Sequence, residues 1–193
     1  MYKTTPWLST GRGALLRATY EKARHLDMID MALKTFGQTS ALAVVQAGPF
    51  LIGFWRGPPR DPDFDLLRRA QDEVAASGKP FFILSVVSHI PTDKASTDLA
   101  RKRGLELLRQ HEEKRITGAT VILPQGIIGA FARSFTVGFN LAVRAKTPNR
   151  VFASLDDAMT WMAKHGTGVI TEEEVAAHLD EVRAAGLPIR QAS

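Results

Sequence analysis

The chain has 193 residues, 45% of them apolar, and a formal net charge of +5, so it can bury one real core and is too apolar for a disordered chain. It has no cysteine, which excludes disulfides, thiolate zinc sites and cysteine nucleophiles. No apolar leader opens it, and its longest apolar region, 120–143, is broken by Pro124, Gln125, Arg133 and Asn140; the expectation is a cytoplasmic protein with no membrane span.

Residues 1–13 read as a loosely ordered lead-in. Leu15, Ala18, Lys22, His25, Ile29 and Ala32 or Leu33 then recur at near-helical spacing, which predicts a helix over Ala14–Phe36 ended by Gly37. Together these make an N-terminal extension, residues 1–40. Ala41–Gln46 and Phe50–Trp55 are β-rich runs separated only by Ala47-Gly48-Pro49, a connection short enough only for an antiparallel hairpin. Asp61-Pro62 places a cap and a first-turn proline at the start of a helix reaching about Ala76, with Phe64, Leu67, Ala70 or Gln71, and Val74 on its apolar stripe.

Phe81–Val87 is almost wholly apolar, as expected of a central strand buried on both faces. A helix follows from about Lys94 to Glu113, with Ala100, Gly104, Leu107, Leu108 and His111 on one stripe; Gly104 there suggests close approach to the sheet. Thr120–Leu123 is a short strand stopped by Pro124, and Gln125-Gly126 turns into a helix over Ile127–Val143. Asn149–Ala153 is the next strand. Ser154 with Asp157, and Thr171 with Glu174, open two capped helices, the first stopped by Gly166 and the second by Gly186 and Pro188.

This order predicts an α/β fold: a mixed sheet of about five strands, the first antiparallel and the rest parallel, with crossover helices over residues 41–165. Residues 166–193 form a C-terminal helical extension. From Ala41 to His165, element order and the closing phrase Arg150-Val151-Phe152-Ala153-Ser154-Leu155-Asp156-Asp157-Ala158-Met159-Thr160-Trp161-Met162 resemble the STAS family of anti-sigma-factor-antagonist-like domains, in particular its bacterial STAS-like members. The resemblance implies a regulatory, protein-binding module. It also implies a phosphorylated serine in an Asp-Ser-Gly turn after the third strand. Here that region reads Ser88-His89-Ile90-Pro91-Thr92-Asp93-Lys94-Ala95-Ser96-Thr97, without the turn; Ser96 and Thr97 are the nearest hydroxyls, and no dedicated switch is expected of them.

In an open α/β sheet, ligands gather at the carboxyl ends of the parallel strands. The polar candidates in those loops are Arg56, Arg60, Ser88, His89, Asp93, Lys94 and Gln125. The arginines could hold a phosphate or carboxylate near a helix N-terminus, or flank a solvated proline turn. His89 and Asp93 could pair with Ser88 or Ser96 in nucleophilic chemistry, which would also need an oriented base and an oxyanion site. His25, His111, His165 and His178 stand singly and read as surface or half-buried. No phosphate-loop, paired metal-ligand or base-stacking pattern occurs, so neither metal, cofactor nor nucleic acid is expected.

The helix Ile127–Val143 is apolar on more than one side. Ile128, Phe131, Phe135 and Ala142 can face the sheet, but Ile127, Val137, Phe139 and Leu141 cannot join that stripe. Those four are the expected association surface, covered by the terminal helices, a second copy or a partner. The functional expectation is a non-catalytic protein-interaction module of STAS type that forms a homodimer. The alternative is a small-ligand binder or enzyme using the carboxyl-end loops.

Overall fold

The computed structural model describes residues 33–143, 146–166 and 168–184. One mixed sheet carries β1 (Lys34–Gln38), β2 (Leu42–Ala47), β3 (Phe50–Trp55), β4 (Phe81–Val87), β5 (Arg115–Ile122) and β6 (Asn149–Phe152), side by side in chain order. β2 is antiparallel to both β1 and β3; from β3 to β6 every neighbour is parallel. The helices are α1 (Asp61–Ala76), α2 (Lys94–Arg109), α3 (Gly126–Val143), α4 (Leu155–His165) and α5 (Glu172–Ala184). The fold is thus α/β, with the Ala41–Trp55 hairpin and the central β4 as the sequence reading has them.

The sheet has six strands because Lys34–Gln38, read as the end of a helix, pairs with β2. The rest of that expected helix, Ala14 to Ala32, lies outside the described residues. Gly37 is a bulge rather than a helix stop: the register shifts between Thr35 and Gly37, at a φ of 149°. A glycine after an apolar run fits either role, and pairing with a neighbouring strand decides it. Three boundaries also move. Arg60, not Asp61, caps α1, and Asp63 accepts the Arg60 amide at 2.7 Å and the Thr39 hydroxyl at 2.5 Å. α2 ends at Arg109, short of Glu113, and His111 follows in a left-handed turn. β5 starts at Arg115 rather than Thr120, since its first residues pair with β4 despite the Thr-Gly dilution.

Alternation along the strands divides the core in two. On one face, Phe50, Ile52, Phe54, Phe82, Leu84 and Val86 pack against Leu155, Met159 and Met162 of α4, with Val175 of α5. The Phe50 and Phe82 rings stack at 4.8 Å. Both capped starts form there: Ser154 Oγ accepts the Asp157 amide, and Thr171 and Glu174 exchange hydrogen bonds of 2.7 and 3.2 Å. His178 is also fully buried on this side, not half-buried as expected; its ring sits over Gly48, where an added Cβ would lie 2.3 Å from Nε2. On the other face, Leu42, Val44 and Leu51 pack under Phe64, Leu67 and Val74 of α1.

Candidate functional site

Beyond α1, the second face changes character. Gly53, Ser85 and Thr120 lie in register across β3, β4 and β5, as do Ile83, Gly118 and Asn149 across β4, β5 and β6. These are mostly small or polar residues, too small to meet the helices above them. The apolar stripe of α2, including Ala100, Gly104 and Leu107, roofs a cavity of about 230 Å3 instead of a packed core. Gly104 is therefore not a point of close approach: a Cβ added there would touch nothing within 4 Å. Nor is β4 buried on both faces, because Ile83, Ser85 and Val87 border this space and are half-buried.

The cavity adjoins a cleft of about 530 Å3 between α2 and α3, with which it shares Val87, Pro91, Ala100, Thr120 and Thr136. The cleft alone falls within the ~300–1,000 Å3 typical of ligand sites. Its outer lips are Ile128, Phe131 and Phe135 of α3 and Thr97 and Arg101 of α2.

Besides His89, Thr120 and Thr136, four polar side chains line the inner cavity. Arg115, at the start of β5, is 5% exposed; its guanidinium donates to the carbonyls of Leu107, at 3.4 Å, and Leu108. Burial lowers its pKa while the nearby Glu112 carboxylate opposes that shift. Gln71, 1% exposed on α1, has its Oε1 without a hydrogen-bond partner, and Asn149 Oδ1 is likewise buried and unpartnered. Asn149 lies flat against Gly118, where a Cβ would come within 3.2 Å of Oδ1. Ser85 projects from the middle of β4. Sequence reading passed over all four. The available signals were Gln71 within an apolar stripe and Ser85 within an apolar strand.

α3 is turned opposite to expectation. Gly129 is buried and Ala132, Arg133 and Thr136 are half-buried, so small and polar residues meet the body of the protein. Ile127, Ile128 and Phe131 are 88%, 63% and 73% exposed, and Phe135 and Val137 are also exposed. Ile128, Phe131 and Phe135 therefore do not face the sheet. The N-terminal turn sets this rotation: Gly126 adopts a φ of 73°, Arg133 Nη1 donates to the carbonyls of Ile122 and Pro124 at 3.3 and 3.1 Å, and the Pro124 carbonyl oxygen lies 1.8 Å from where a Gly129 Cβ would be. Of the four expected surface residues, Ile127 and Val137 are exposed; the side chains of Phe139 and Leu141, like that of Ala142, lie outside the described residues.

The carboxyl-end loops do not assemble a polar site. Arg56 donates to Gln38 and the Thr39 carbonyl at 3.2 and 3.4 Å, while Arg60 stands at the N-cap of α1 with no side-chain cap bond. The Ser88 hydroxyl donates to the Trp55 carbonyl at 3.0 Å, and Gln125 donates to the Leu123 carbonyl at 3.0 Å. Asp93 caps α2 by accepting the Ser96 amide at 2.7 Å, which holds its carboxyl below the ordinary value. Thr97 donates back to the Asp93 carbonyl at 2.9 Å, and Lys94 pairs with Asp98 one turn on. Among the described residues no hydrogen bond joins His89 to Ser88, Asp93 or Ser96. Of the six loop candidates Arg56, Arg60, Ser88, His89, Asp93 and Gln125, only His89 lines either space.

Comparison with protein-family models, curated proteins and solved structures returns no match. Among the described residues, no helix is long and apolar enough to cross a membrane, and no cluster of three metal-ligating side chains occurs.

Proposed function

We propose that the chain is a cytoplasmic, non-catalytic interaction module of STAS-like type that self-associates through α3. The observation that carries this reading is the outward apolar face of that helix. Five of the six exposed large apolar side chains among the described residues are on it. Ile127, Phe131 and Phe135 are spaced i, i+4, i+8 and form one stripe. Burying a large apolar side chain contributes roughly 1.5–3 kcal/mol, so a partner that covers the stripe gains substantially.

A second copy of the chain is the occupant that best suits this surface. A two-fold contact sets the same patch against itself, which favours apolar side chains and disfavours like charges. Arg133 is the only charged residue in α3, and it is folded back onto the Ile122 and Pro124 carbonyls. No charge on this helix offers complementarity to a charged partner. Arg56, Ser88, Asp93 and Gln125 meanwhile serve a helix cap and turns, which supports a binding role over catalysis.

Size-exclusion chromatography with light scattering tests the reading. The wild-type chain is expected to have the mass of a dimer, and Phe131→Lys that of a folded monomer with little change in melting temperature. A wild-type chain that stays monomeric at high micromolar concentration would overturn self-association.

A further inference from the structure

We propose that the cavity beneath α2 is a binding site for a single-chain alkyl carboxylate, with its head at Arg115 and its tail in the cleft between α2 and α3. The head site rests on the inner cavity and its polar groups alone, whereas the tail cleft shares Phe131 and Phe135 with the outer stripe of α3.

Arg115 is the first observation. A guanidinium carries five N–H donors, and among the described residues only two bonds are made, both to neutral carbonyls. A buried cation normally has a carboxylate bonded to it, because carbonyl dipoles alone recover only part of the lost hydration. Glu112, the nearest charge influence, is engaged elsewhere: its Oε1 accepts the backbone amides of Lys146 and, at 3.1 Å, Thr147. Donor capacity on Arg115 remains for an anion within the cavity it lines.

The amides are the second observation, and they line the same cavity, Asn149 pairing with Gly118 three residues along β5 from Arg115. Asn149 starts β6 and Arg115 starts β5, whereas Gln71 is one helical turn before Ala75, whose carbonyl accepts Lys114 Nζ at 3.0 Å. Gln71 Oε1 and Asn149 Oδ1 are buried and unpartnered, a costly state for polar atoms. Rotating either amide exchanges its oxygen for an NH2 group, which donates to a carboxylate. Two amides and a guanidinium lining one cavity suit an acceptor with two oxygens in a plane.

The remainder of the wall selects the tail. From the start of β5, the cavity follows Ile83, Ser85 and Val87 along β4 to Pro91, then meets the apolar cleft at Ile122, Ile128 and Phe131. Arg115 and Ile122 are the first and last residues of β5, seven residues apart; at ~3.3 Å per residue this is roughly 23 Å of strand. The two spaces together are long and mostly apolar, with the cation Arg115 in the inner one. An extended hydrocarbon chain fits that distribution, and a compact polar metabolite does not.

Calorimetric titration with dodecanoate and 1-dodecanol tests the proposal on the full chain. Dodecanoate is expected to bind one per chain, and the alcohol about tenfold or more weaker, as loss of a charge-assisted contact requires. Arg115→Met should bring dodecanoate down to the level of the alcohol, and Ser85→Phe should abolish both by filling the inner cavity. Ile127→Lys, which lies off both spaces, should retain binding, so failure of dimerisation and failure of ligand binding are read separately. No binding of dodecanoate by the wild-type chain, equal affinity for the alcohol, or full affinity in folded Ser85→Phe would overturn the site. Should either cavity variant fail to fold, the wild-type comparison of acid with alcohol decides alone.

Discussion

α4 and α3 lie on opposite faces of one sheet and orient their side chains in opposite ways. α4 buries Leu155, Ala158, Met159, Met162 and Ala163 against β-strand aromatics and leaves its polar residues to solvent, as an amphipathic surface helix does. A space on that face, between the strands, α4 and His178, is about 10 Å3. α3 turns glycine, alanine and threonine inward and isoleucine and phenylalanine outward, and the cleft beside it is about 530 Å3. Large side chains seal the α4 face through close packing. The face at α3 is held by backbone contacts around Pro124 and leaves its apolar surface for something else. One face of the sheet is packed throughout; the other is packed under α1 and open beside α2 and α3.

The widest gap between the two helices should appear in truncations. Met162→Ala removes a fully buried side chain and should cost about 2–5 kcal/mol. Phe131→Ala, measured where the chain is monomeric, should change stability by no more than about 0.5 kcal/mol, because the ring is already in solvent. Urea unfolding of both variants makes the comparison; equal losses would mean that the chain itself covers α3.

A second pair sharpens the account of how α3 is held. Gly129→Ala forces a methyl group into the Pro124 carbonyl and should cost about 1–3 kcal/mol as the turn shifts. Gly138→Ala, where an added Cβ meets nothing within 4 Å, should instead stabilise by up to about 1 kcal/mol through helix propensity. Thermal melts that show the two substitutions to be alike would remove Gly129 from its role in setting the rotation.

The smallest effect is expected in acid, at the turn that leads from α3 into β6. Glu112 accepts the Thr147 and Lys146 amides, and these bonds lower its carboxyl pKa in the folded chain. A depressed folded-state pKa contributes stability that is fully present above the ordinary carboxyl value of ~4.3 and is lost as pH falls through the folded value. The melting-temperature advantage of the wild-type chain over Glu112→Gln should therefore shrink as pH falls from neutral to below that range. A difference that stays constant over the same interval would show that the charge of Glu112 contributes nothing.

Much of the architecture was legible because local rules and the fold agree. The three-residue gap at Ala47-Gly48-Pro49 compelled a hairpin, β-branched and aromatic runs marked β2, β3 and β4, and the Ser154 cap and the Thr171–Glu174 capping box opened α4 and α5. Where a signal had two meanings, the local reading failed: Gly37 fits a helix stop or a bulge, and Gly104 fits close packing or open space. The loop candidates came from a sound topological rule, yet the side chains of Arg56, Ser88, Asp93 and Gln125 were already used in cap and turn bonds. Arg115, Gln71 and Asn149 were missed because each is ordinary in its own segment and becomes unusual only when the others stand around the same cavity.

The sequence by itself determined the class of fold, the hairpin, the central place of β4 and the excess of apolar surface on the helix after β5, because period, turn length and composition act within a few residues. Only the tertiary structure decided the sixth strand, the rotation of α3 and the cavity under α2. A helix with apolar residues on several sides has no unique inward face; the contacts of Gly129 and Arg133 with the Pro124 turn choose one. A cavity, likewise, is a mismatch between surfaces far apart in the chain: Ser85, Gly118 and Thr120 are too small to fill the distance to α2, and no single segment records that distance.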